Sequence, residues 1–272
     1  MISHVYPVSP DGVSTLRHII AIEGQDGTGK ESVSKRLVEL LREKEFRAEM
    51  VSFPRYDTPV GKVIEAYQRG SFGDPTEIDP FIGGALYTLD RKNFFMTDGE
   101  ALIQNNDFLV MDRSYFSNFI YQCTKLFYAS NSERKRMKHW MTSALKAELE
   151  DNGIDEFMLY RVYYLTISEE DRQEQMKSRN LLDMNESSDW YQMGLRSFFQ
   201  ETRCYDFWKN LGFNHKLEEF YYRKVKKIEV VHSKTEERIP EAVDATARKI
   251  MDDINANFIA PRAVNRLTGG PQ

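Results

Sequence analysis

The sequence has little cysteine and no long apolar stretch. Its two cysteines, Cys123 and Cys204, lie far apart, so no Cys-x-x-Cys pair is available for a structural zinc or a redox dithiol. No apolar run reaches the length of about 18 residues that a membrane helix needs, and the first residues lack the pattern of a secretory signal. These absences predict a protein of a reducing, cytoplasmic compartment that does not enter a membrane.

The chain also lacks a basic excess. It carries 37 Lys and Arg against 42 Asp and Glu, a net charge of −5, and its pI is about 5.7. Proteins that bind a nucleic-acid polymer usually present a basic surface, so we expect no such partner. A small phosphorylated ligand needs only a locally basic pocket. No internal repeat or low-complexity segment is present, and we interpret the chain as one domain with insertions.

A glycine-rich turn follows the first apolar segment. Residues 17–23 have the pattern of a β-strand, and the turn after them consists of Gly24, Gln25, Asp26, Gly27, Thr28, Gly29 and Lys30. Its glycines permit the positive φ angles that let successive N–H groups converge on phosphate oxygens, and the lysine can reach the β and γ phosphates. The pattern therefore predicts a P-loop that binds a nucleoside triphosphate.

The residue after the lysine is unusual for such a loop. A Ser or Thr normally stands there and ligates Mg²⁺ through its hydroxyl, whereas this chain has Glu31, with the nearest hydroxyl on Ser32. The Glu31 carboxylate can ligate the ion directly, hold it through water, or turn away and leave the ion to Ser32 and Asp112. All three residues are candidate metal ligands.

Strand and helix patterns alternate along the chain. Further strands are predicted at 47–53, 108–111, 162–167 and 228–231, and helices from about Glu31, after Pro59 and at 242–254. The buried face of the helix after Pro59 is expected to comprise Val60, Val63, Ile64 and Tyr67. The alternation predicts an α/β fold of the P-loop NTPase type, a three-layer sandwich with a five-stranded parallel sheet, helices on both faces and a small lid.

Four motifs occur in the order of one enzyme family. They are the P-loop, the segment 52–62 (SFPRYDTPVGK), the segment 79–91 with its Asp-Pro and its ALYTLDR, and the segment 112–122 (DRSYFSNFIYQ). Together they resemble thymidylate kinases over residues 17–254, less closely after Leu126. The resemblance implies a P-loop domain at 17–256, an N-terminal extension at 1–16 and a C-terminal tail at 257–272. It also implies a homodimeric enzyme that phosphorylates dTMP to dTDP with ATP and Mg²⁺.

The spacing of Tyr87 and Arg91 fits recognition of a nucleobase. Residues i and i+4 share a helix face, so the ring can stack on a planar base while the guanidinium donates to a base carbonyl. In the family, residues of these types contact thymine. The resemblance likewise implies that Tyr121 and Gln122 contact the sugar and the thymine edge, and that Asp26 touches the 3′-hydroxyl of the acceptor.

Two arginines are expected to hold the acceptor phosphate. Asp112 ends an apolar strand beside the P-loop, where a carboxylate can bind Mg²⁺, and the next residue, Arg113, can pair with a phosphate. The resemblance assigns the phosphate to Arg113 and to an arginine of the Phe-Pro loop, for which Arg55 is the candidate. Some family members place that arginine one position later, where this chain has Tyr56. The resemblance also places Phe53, Ser117 and Asn118 at the acceptor site.

A cation from the lid is expected to complete the active site. Some family members carry a catalytic arginine within the P-loop, but this chain has Gly27 there, so the lid at about 170–188 should supply the charge. Arg179 is the first candidate, with Lys177 and Arg172 as alternatives. A charged helix held by local ion pairs is the other interpretation. The predicted catalytic residues are Lys30, Arg113, Arg179 and Asp26.

Two segments are longer than the family plan. The first, at 130–150, carries a basic cluster at 134–138, which we interpret as the solvent-exposed face of an amphipathic helix. The second, at 204–227, is rich in aromatic residues and is expected to add core or a subunit contact.

Two other kinds of function remain open on the sequence alone. A deoxynucleoside kinase shares the P-loop and the base pocket, but it needs a carboxylate base near the 5′-hydroxyl of the sugar, for which Glu23 is the candidate. A nucleotide-binding regulatory module without turnover is suggested by Glu31. The paired acceptor arginines favour a kinase of dTMP or of another deoxynucleoside monophosphate over a nucleoside kinase, whereas the regulatory module is separated from an enzyme by a coupled assay of turnover.

Overall fold

A computed structural model of the chain describes residues 18–126, 129–151, 159–172, 189–200, 225–230 and 239–259. The strands are β1 (His18–Gly24), β2 (Ala48–Ser52), β3 (Phe108–Asp112), β4 (Leu159–Thr166) and β5 (Val225–Glu229). The helices are α1 (Lys30–Glu43), α2 (Pro59–Gln68), α3 (Pro80–Phe94), α4 (Glu100–Asn105), α5 (Tyr115–Thr124), α6 (Asn131–Asp151), α7 (Asp189–Gln200) and α8 (Ile239–Ile254). Two π-helical turns, Phe95–Gly99 and Asn255–Ile259, follow α3 and α8.

Several predicted segments lie outside the described residues. They are the N-terminal extension at 1–16, the lid from 173 to 188, most of the second insert and the tail from residue 260 onward. The structure also contains α4, α5 and α7, three helices that are not predicted from the sequence.

The five strands form one parallel sheet in the order β2-β3-β1-β4-β5. In this sheet β1 is central, and Ile22 lies opposite Asp112 of β3 and Tyr163 of β4. Parallel strands end at a common edge, and ligands of open α/β sheets bind in the crevice outside that edge. The loop after β1 and the residues after β3 therefore lie side by side there, and the predicted fold class is confirmed.

Residues of β1 alternate between two hydrophobic cores. Ile19 and Ala21 belong to a cluster that includes residues of α3, α5, α6 and α7, whereas Ile20 and Ile22 belong to one that includes α1 and α8. The alternation arises because successive side chains of a strand point to opposite faces of the sheet. Helices thus cover both faces, as the predicted three-layer arrangement requires.

Helix α1 starts directly from the glycine-rich loop. Gly29 precedes its first residue and has a φ of 73°, in the left-handed region that favours glycine. Leu37 and Leu41 are fully buried on its inner face, and burial of a leucine side chain contributes about 1.5–3 kcal/mol. Because this face packs on the sheet and on α8, the loop at the start of α1 is held in place.

Strand β5 begins three residues before the predicted segment 228–231. The difference arises because β5 lies at the edge of the sheet, where charged residues are tolerated. Lys226 of this strand pairs with Asp253 of α8. Asp253 also accepts a hydrogen bond from the Tyr163 hydroxyl at 2.8 Å, so its carboxylate connects β4, β5 and α8.

Helix α2 has a narrower apolar face than predicted. Ile64 and Tyr67 are fully buried as expected, but Val63 is 42% exposed. The helix is capped by Thr58, whose hydroxyl accepts a hydrogen bond from the N–H of Gly61 at 3.0 Å. The last turn of α2 lies beside the cavity described below.

Helix α6 occupies the predicted insert at 130–150. Met137 and Met141 are buried in the core between α6 and the sheet, as an amphipathic helix requires. Lys135 and Arg136 of the basic cluster are exposed, in agreement with the predicted solvent-facing side. The ring of Trp140 packs so closely on Gly84 of α3 that a Cβ there would lie 2.6 Å from it.

Candidate active site

The P-loop is closed by hydrogen bonds to one carbonyl group. The Gln25 carbonyl accepts from the Thr28 hydroxyl and from the Lys30 ammonium, each at 2.9 Å. Gly24 has a φ of 153°, and a Cβ at this position would lie 2.8 Å from the Leu165 carbonyl oxygen of β4. Glycine is therefore required where the chain leaves β1.

Two cations flank a buried carboxylate inside this loop. The Asp26 carboxylate lies 3.7 Å from the Lys30 ammonium and forms an ion pair with Arg113, which follows β3. Burial raises the pKa of Asp26, but Arg113 and Lys30 outweigh that effect and hold this pKa well below its usual range. Burial lowers the pKa of Lys30 to about 8, and the charge of Arg113 adds to the lowering. The cluster retains one net positive charge for a phosphate.

Arg113 is aimed at this cluster by its backbone. Its φ of 65° is left-handed, a conformation that costs a non-glycine residue of order 1 kcal/mol or more and concentrates at functional sites. Its guanidinium lies 3.4 Å from the Tyr121 hydroxyl, which itself donates to Asp26. Burial opposes the protonated form of Arg113, yet Asp26 raises the pKa of Arg113 well above its ordinary value. For the Tyr121 hydroxyl, burial and the charge of Asp26 act together, and both raise its pKa well above the ordinary value.

Glu23, the residue before the P-loop, binds the start of α5 next to Arg113. Its fully buried carboxylate accepts hydrogen bonds from the Ser114 N–H at 2.7 Å, from the Ser114 hydroxyl at 2.6 Å and from the Ser117 hydroxyl. A carboxylate at the N-terminus of a helix satisfies its unpaired N–H groups and its dipole. Glu23 therefore fixes the start of α5, the helix that carries several predicted site residues.

A cavity of about 340 Å³ opens beside the P-loop, a size typical of a small-molecule site. The predicted acceptor residues that line it are Asp26, Phe53, Tyr87, Arg91, Arg113, Ser117, Asn118 and Tyr121. The other lining residues are Pro54, Tyr56, Glu65, Gln68, Arg69 and Ser114. The structure thus brings most of the predicted acceptor site together around one cavity.

Helices α3 and α5 present a donor and an acceptor to this cavity. The amide of Asn118 donates to the Gly84 carbonyl at 3.0 Å, while its buried Oδ1 accepts no hydrogen bond from any described residue. Arg91 is 3% exposed, and its Nη2 lies 3.5 Å from the Thr88 hydroxyl. A buried acceptor without a partner is costly unless a ligand satisfies it. The pair can therefore address donor and acceptor groups on the edge of one planar base.

Arg55 is not among the residues that line the cavity, although Pro54 and Tyr56 are. Its guanidinium donates to Asn93 at 2.6 Å and to Asp98 at 3.1 Å, and it packs over the Phe94 ring. The carboxylate of Asp90 accepts from its backbone N–H at 2.9 Å. These contacts draw the side chain away from the cavity wall, so the structure does not bring this predicted phosphate ligand to the site.

Gln122 also lies outside the cavity wall. Its side chain is 2% exposed, and its Oε1 is 2.6 Å from the point where a Cβ of Gly83 would stand. The amide therefore packs behind α3, although its Oε1 has no hydrogen-bond partner among the described residues. Gln122 is not part of the cavity lining, and its contact with the pyrimidine edge stays a prediction.

Five polar residues of the lining were not predicted from the sequence. They are Tyr56, Glu65, Gln68, Arg69 and Ser114, the first named only as the position where some relatives have an arginine. The available signal was the helical period of α2, because Gln68 and Glu65 follow Ile64 by four residues and by one. That period shows which residues neighbour the buried face, but it cannot show which helix or ligand they meet.

The candidate metal ligands do not converge. Glu31 is exposed, and its carboxylate pairs with Lys35 at 2.5 Å, one turn along α1; Ser32 is exposed as well. Asp112 is buried: its Oδ2 accepts from the Ser52 hydroxyl at 2.7 Å, while no described residue donates to its Oδ1. Within the described ranges, no group of three or more His, Cys, Asp or Glu side chains is arranged to hold a metal.

Most of the lid candidates lie outside the described residues. Lys177 and Arg179 are among these, and their predicted roles stay predictions. Arg172 is buried, and both its Nε and its Nη2 donate to Glu169 at 2.9 Å. This local ion pair agrees with the interpretation of Arg172 as a structural residue of a charged helix.

Across the described segments, no helix combines the length and the apolarity that crossing a membrane demands.

Comparison with known proteins gives a consistent result. A sequence profile described as thymidylate kinase matches residues 22–206. The probable thymidylate kinase of Archaeoglobus fulgidus is 31% identical over 107 residues, which cover 39% of this chain and 50% of the relative. Human thymidylate kinase is 30% identical over 107 residues, which cover 39% and 48%. This chain thus spans about half the length of the curated relatives it matches.

A solved structure supports the same fold. The thymidylate kinase from Candida albicans superposes with a TM-score of 0.56 and 19% identity, over 88% of this chain and 92% of that chain. At this identity the likeness concerns the fold alone. The family profile, however, includes the end of β1, the P-loop and every residue of the cavity lining. On these grounds the chain belongs to the thymidylate kinase family.

Proposed function

We propose that the protein transfers the γ-phosphoryl group of ATP to dTMP and releases dTDP and ADP. The observation that carries this proposal is the cavity next to the P-loop, with Asp26 and Arg113 at its P-loop side and Arg91 and Asn118 on facing helices. A nucleoside monophosphate has a phosphate at one end and a hydrogen-bonding base at the other. The two ends of the lining match these two chemical groups.

The transfer needs positioning and charge neutralisation more than proton abstraction. The second pKa of a phosphate monoester is about 6, so dTMP is largely a dianion at neutral pH and can attack without a dedicated general base. Lys30 and the N–H groups of the P-loop would hold the β and γ phosphates of ATP. Arg113 would hold the acceptor phosphate in line, because its guanidinium is fixed beside the loop by Asp26.

Recognition of the acceptor would divide between helices α3 and α5. Arg91 can donate to a carbonyl of thymine, and the unpaired Oδ1 of Asn118 can accept from the ring N–H. The ring of Tyr87 borders the cavity and offers a stacking surface. Tyr121 donates a hydrogen bond to Asp26 of the P-loop, and we propose that these two side chains contact the sugar of the bound nucleotide.

The residues present fit a Mg²⁺ ion that arrives with the nucleotide. Mg²⁺ is usually held by one or two carboxylates together with phosphates and water, and the buried, unpartnered Oδ1 of Asp112 is a suitable oxygen. When bound, the ion would neutralise negative charge on the phosphates. Glu31 pairs with Lys35 instead, which supports the alternative in which it turns away from the ion.

The position of Glu23 supports a monophosphate acceptor over a nucleoside. A nucleoside kinase would need a carboxylate free to accept the proton of the 5′-hydroxyl. Both carboxylate oxygens of Glu23 accept from the start of α5, and the residue is not part of the cavity lining. Because Gly27 stands where some family members have a catalytic P-loop arginine, we further propose that Arg179 supplies that second cation from the lid.

We also propose a homodimer in a cytoplasmic setting. Ile82 and Leu89 of α3 are 54% and 52% exposed, and Met96 of the following turn is 75% exposed. Their spacing of seven residues keeps them on one side of the helix, as a subunit contact requires.

A substrate panel tests the proposed reaction. With ATP as donor, we expect kcat/KM for dTMP to exceed that for dGMP by at least about tenfold, because the proposed base pocket is of pyrimidine size and reads carbonyl oxygens. The panel should include dUMP, since the thymidylate kinase from Candida albicans is described as having broad substrate specificity. Thymidine serves as the test for a nucleoside kinase. Equal or faster turnover of dGMP would contradict the assignment of dTMP.

The pKa of Lys30 predicts an alkaline loss of ATP use. Because burial lowers this pKa to about 8, the free enzyme loses the lysine charge as the pH rises through that value. We expect kcat/KM for ATP to fall about tenfold per pH unit above it, while kcat falls at higher pH because bound phosphates favour the charged lysine. The Lys30→Arg variant stays charged and should show no such fall. A flat wild-type profile well above pH 8 would contradict this role.

A further inference from the structure

Gln68 connects the two sides of the cavity through its amide group. It is the last residue of α2 and lines the cavity. Its Oε1 accepts a hydrogen bond from the Tyr56 hydroxyl at 2.7 Å, and its Nε2 donates to the Tyr87 hydroxyl at 3.0 Å. One side chain thereby joins the loop after β2, the end of α2 and the middle of α3.

We infer that Gln68 is a positioning residue for the acceptor nucleotide, which it serves by holding the rings of Tyr56 and Tyr87 at the cavity wall. The inference rests on the proposed function, because it concerns how dTMP is bound. It assigns no contact between Gln68 and the reacting atoms. The amide acts through the two tyrosines, whose rings form part of the surface that the nucleotide meets.

The two tyrosines depend on this amide for different reasons. Tyr56 lies on a loop and is 42% exposed, so packing restrains its ring weakly. Tyr87 is partly buried, and its ring meets that of Tyr67 edge to face, at 6.4 Å between centroids. A hydrogen bond at the hydroxyl end fixes the far end of each ring. With both ends fixed, less side-chain freedom remains to be lost when a base stacks there.

The expected signature is a change in substrate binding rather than in the chemical step. A ring that contacts the base or sugar interacts equally with the ground state and the transition state, because neither group changes during phosphoryl transfer. Loss of such an interaction raises KM and leaves kcat nearly unchanged. A merely structural loss would instead lower stability, or would affect ATP and dTMP alike.

The first test is the Gln68→Met variant, which keeps the length and the packing volume of the side chain and removes both hydrogen bonds. We expect KM for dTMP to rise about tenfold, with kcat and KM for ATP changed by less than about twofold. The matched control is Gln104→Met on α4, since Gln104 also bonds through its amide, to Glu100 at 2.8 Å, but stands away from the cavity. Its parameters should equal those of the wild type.

The second test uses the tyrosines, so that it does not depend on the behaviour of one variant. We expect Tyr56→Phe and Tyr87→Phe each to raise KM for dTMP about threefold in the wild type. In the Gln68→Met background neither should have a further effect, because the bond it removes is already absent. Additive effects would show that the hydroxyl groups act independently of Gln68 and would overturn the inference.

The outcomes separate this inference from the proposed function. A wild type that does not phosphorylate dTMP contradicts the function, whatever the variants do. An active wild type with an unchanged KM for dTMP in Gln68→Met contradicts the role of Gln68 alone. The melting temperature and the calorimetric affinity for dTMP should be measured for the wild type and for Gln68→Met together with the kinetic constants. A lowered melting temperature with unchanged dTMP affinity would assign Gln68 a structural role and also overturn the inference.

Discussion

Replacement of Arg113 by methionine should lower kcat/KM for dTMP by about a thousandfold. A hydrogen bond to a charged group is worth about 1.5–3 kcal/mol, and misplacing the acceptor phosphate relative to ATP adds a further loss of roughly a hundredfold. The structure supports the size of this effect, because the guanidinium is fixed by Asp26 and by Tyr121 rather than mobile in solvent. We expect kcat and kcat/KM to fall together.

The same substitution should change the charge state of the loop. Without the guanidinium, Asp26 loses the cation that does most to keep its pKa low, and Lys30 loses the neighbouring charge that helps to depress its own pKa. The alkaline fall in kcat/KM for ATP should therefore move to higher pH in Arg113→Met. This shift is a second measurement that a nonspecific loss of activity would not produce.

Two control variants make the result specific. Arg113→Lys keeps the charge but lacks the planar fork, so its loss should be smaller than that of Arg113→Met. Arg36→Met removes an arginine that bridges α1 and α8 through Asp244 at 2.6 Å, remote from the cavity. It should leave kcat/KM for dTMP nearly unchanged. If Arg113→Met loses less than about threefold, the proposed grip on the acceptor phosphate is wrong.

Replacement of Arg91 by methionine should lower kcat/KM for dTMP by roughly ten- to a thousandfold. The guanidinium is almost fully buried, lines the cavity and packs over the Tyr115 ring at 5.9 Å. A donor in such a site discriminates strongly, because the base carbonyl it served is left unpaired. The loss should be concentrated in KM for dTMP, since the base does not change during the reaction.

The comparison that identifies this role is with other nucleotides. Arg91→Met should lose much of its preference for dTMP over dGMP, whereas Arg113→Met should lose activity with both. Arg248→Met on α8, an exposed residue paired with Asp244 at 2.6 Å, is the matched control and should behave as the wild type. An unchanged preference in Arg91→Met would return this residue to a purely structural role.

The local parts of the site were predictable from the sequence. The P-loop glycines, Lys30 and Asp26 lie within one short segment, so their geometry follows from the turn that the glycines permit. The pair Tyr87 and Arg91 follows from the helical repeat in the same way. The predictions for these residues needed no knowledge of how distant segments meet.

The positions of Arg55 and Gln122 were not predictable in this way. The position of each side chain depends on a residue distant in the sequence. Arg55 pairs with Asp98, and Gln122 packs against Gly83 of α3. A sequence pattern indicates that an arginine can bind a phosphate, but several carboxylates compete for it after folding. Only the packed structure shows which of them it meets.

The sequence by itself determined the layered α/β architecture of this protein and the presence of a phosphate-binding loop. Strand patterns, glycine spacing and the four motifs specify a parallel sheet with a phosphate-binding loop at the end of its first strand, because each depends on local backbone geometry and periodic burial. The tertiary structure decided what forms the cavity between α2, α3 and α5. Gln68 reaches both Tyr56 and Tyr87 there because helix packing, which sequence periods do not encode, brings the three side chains together.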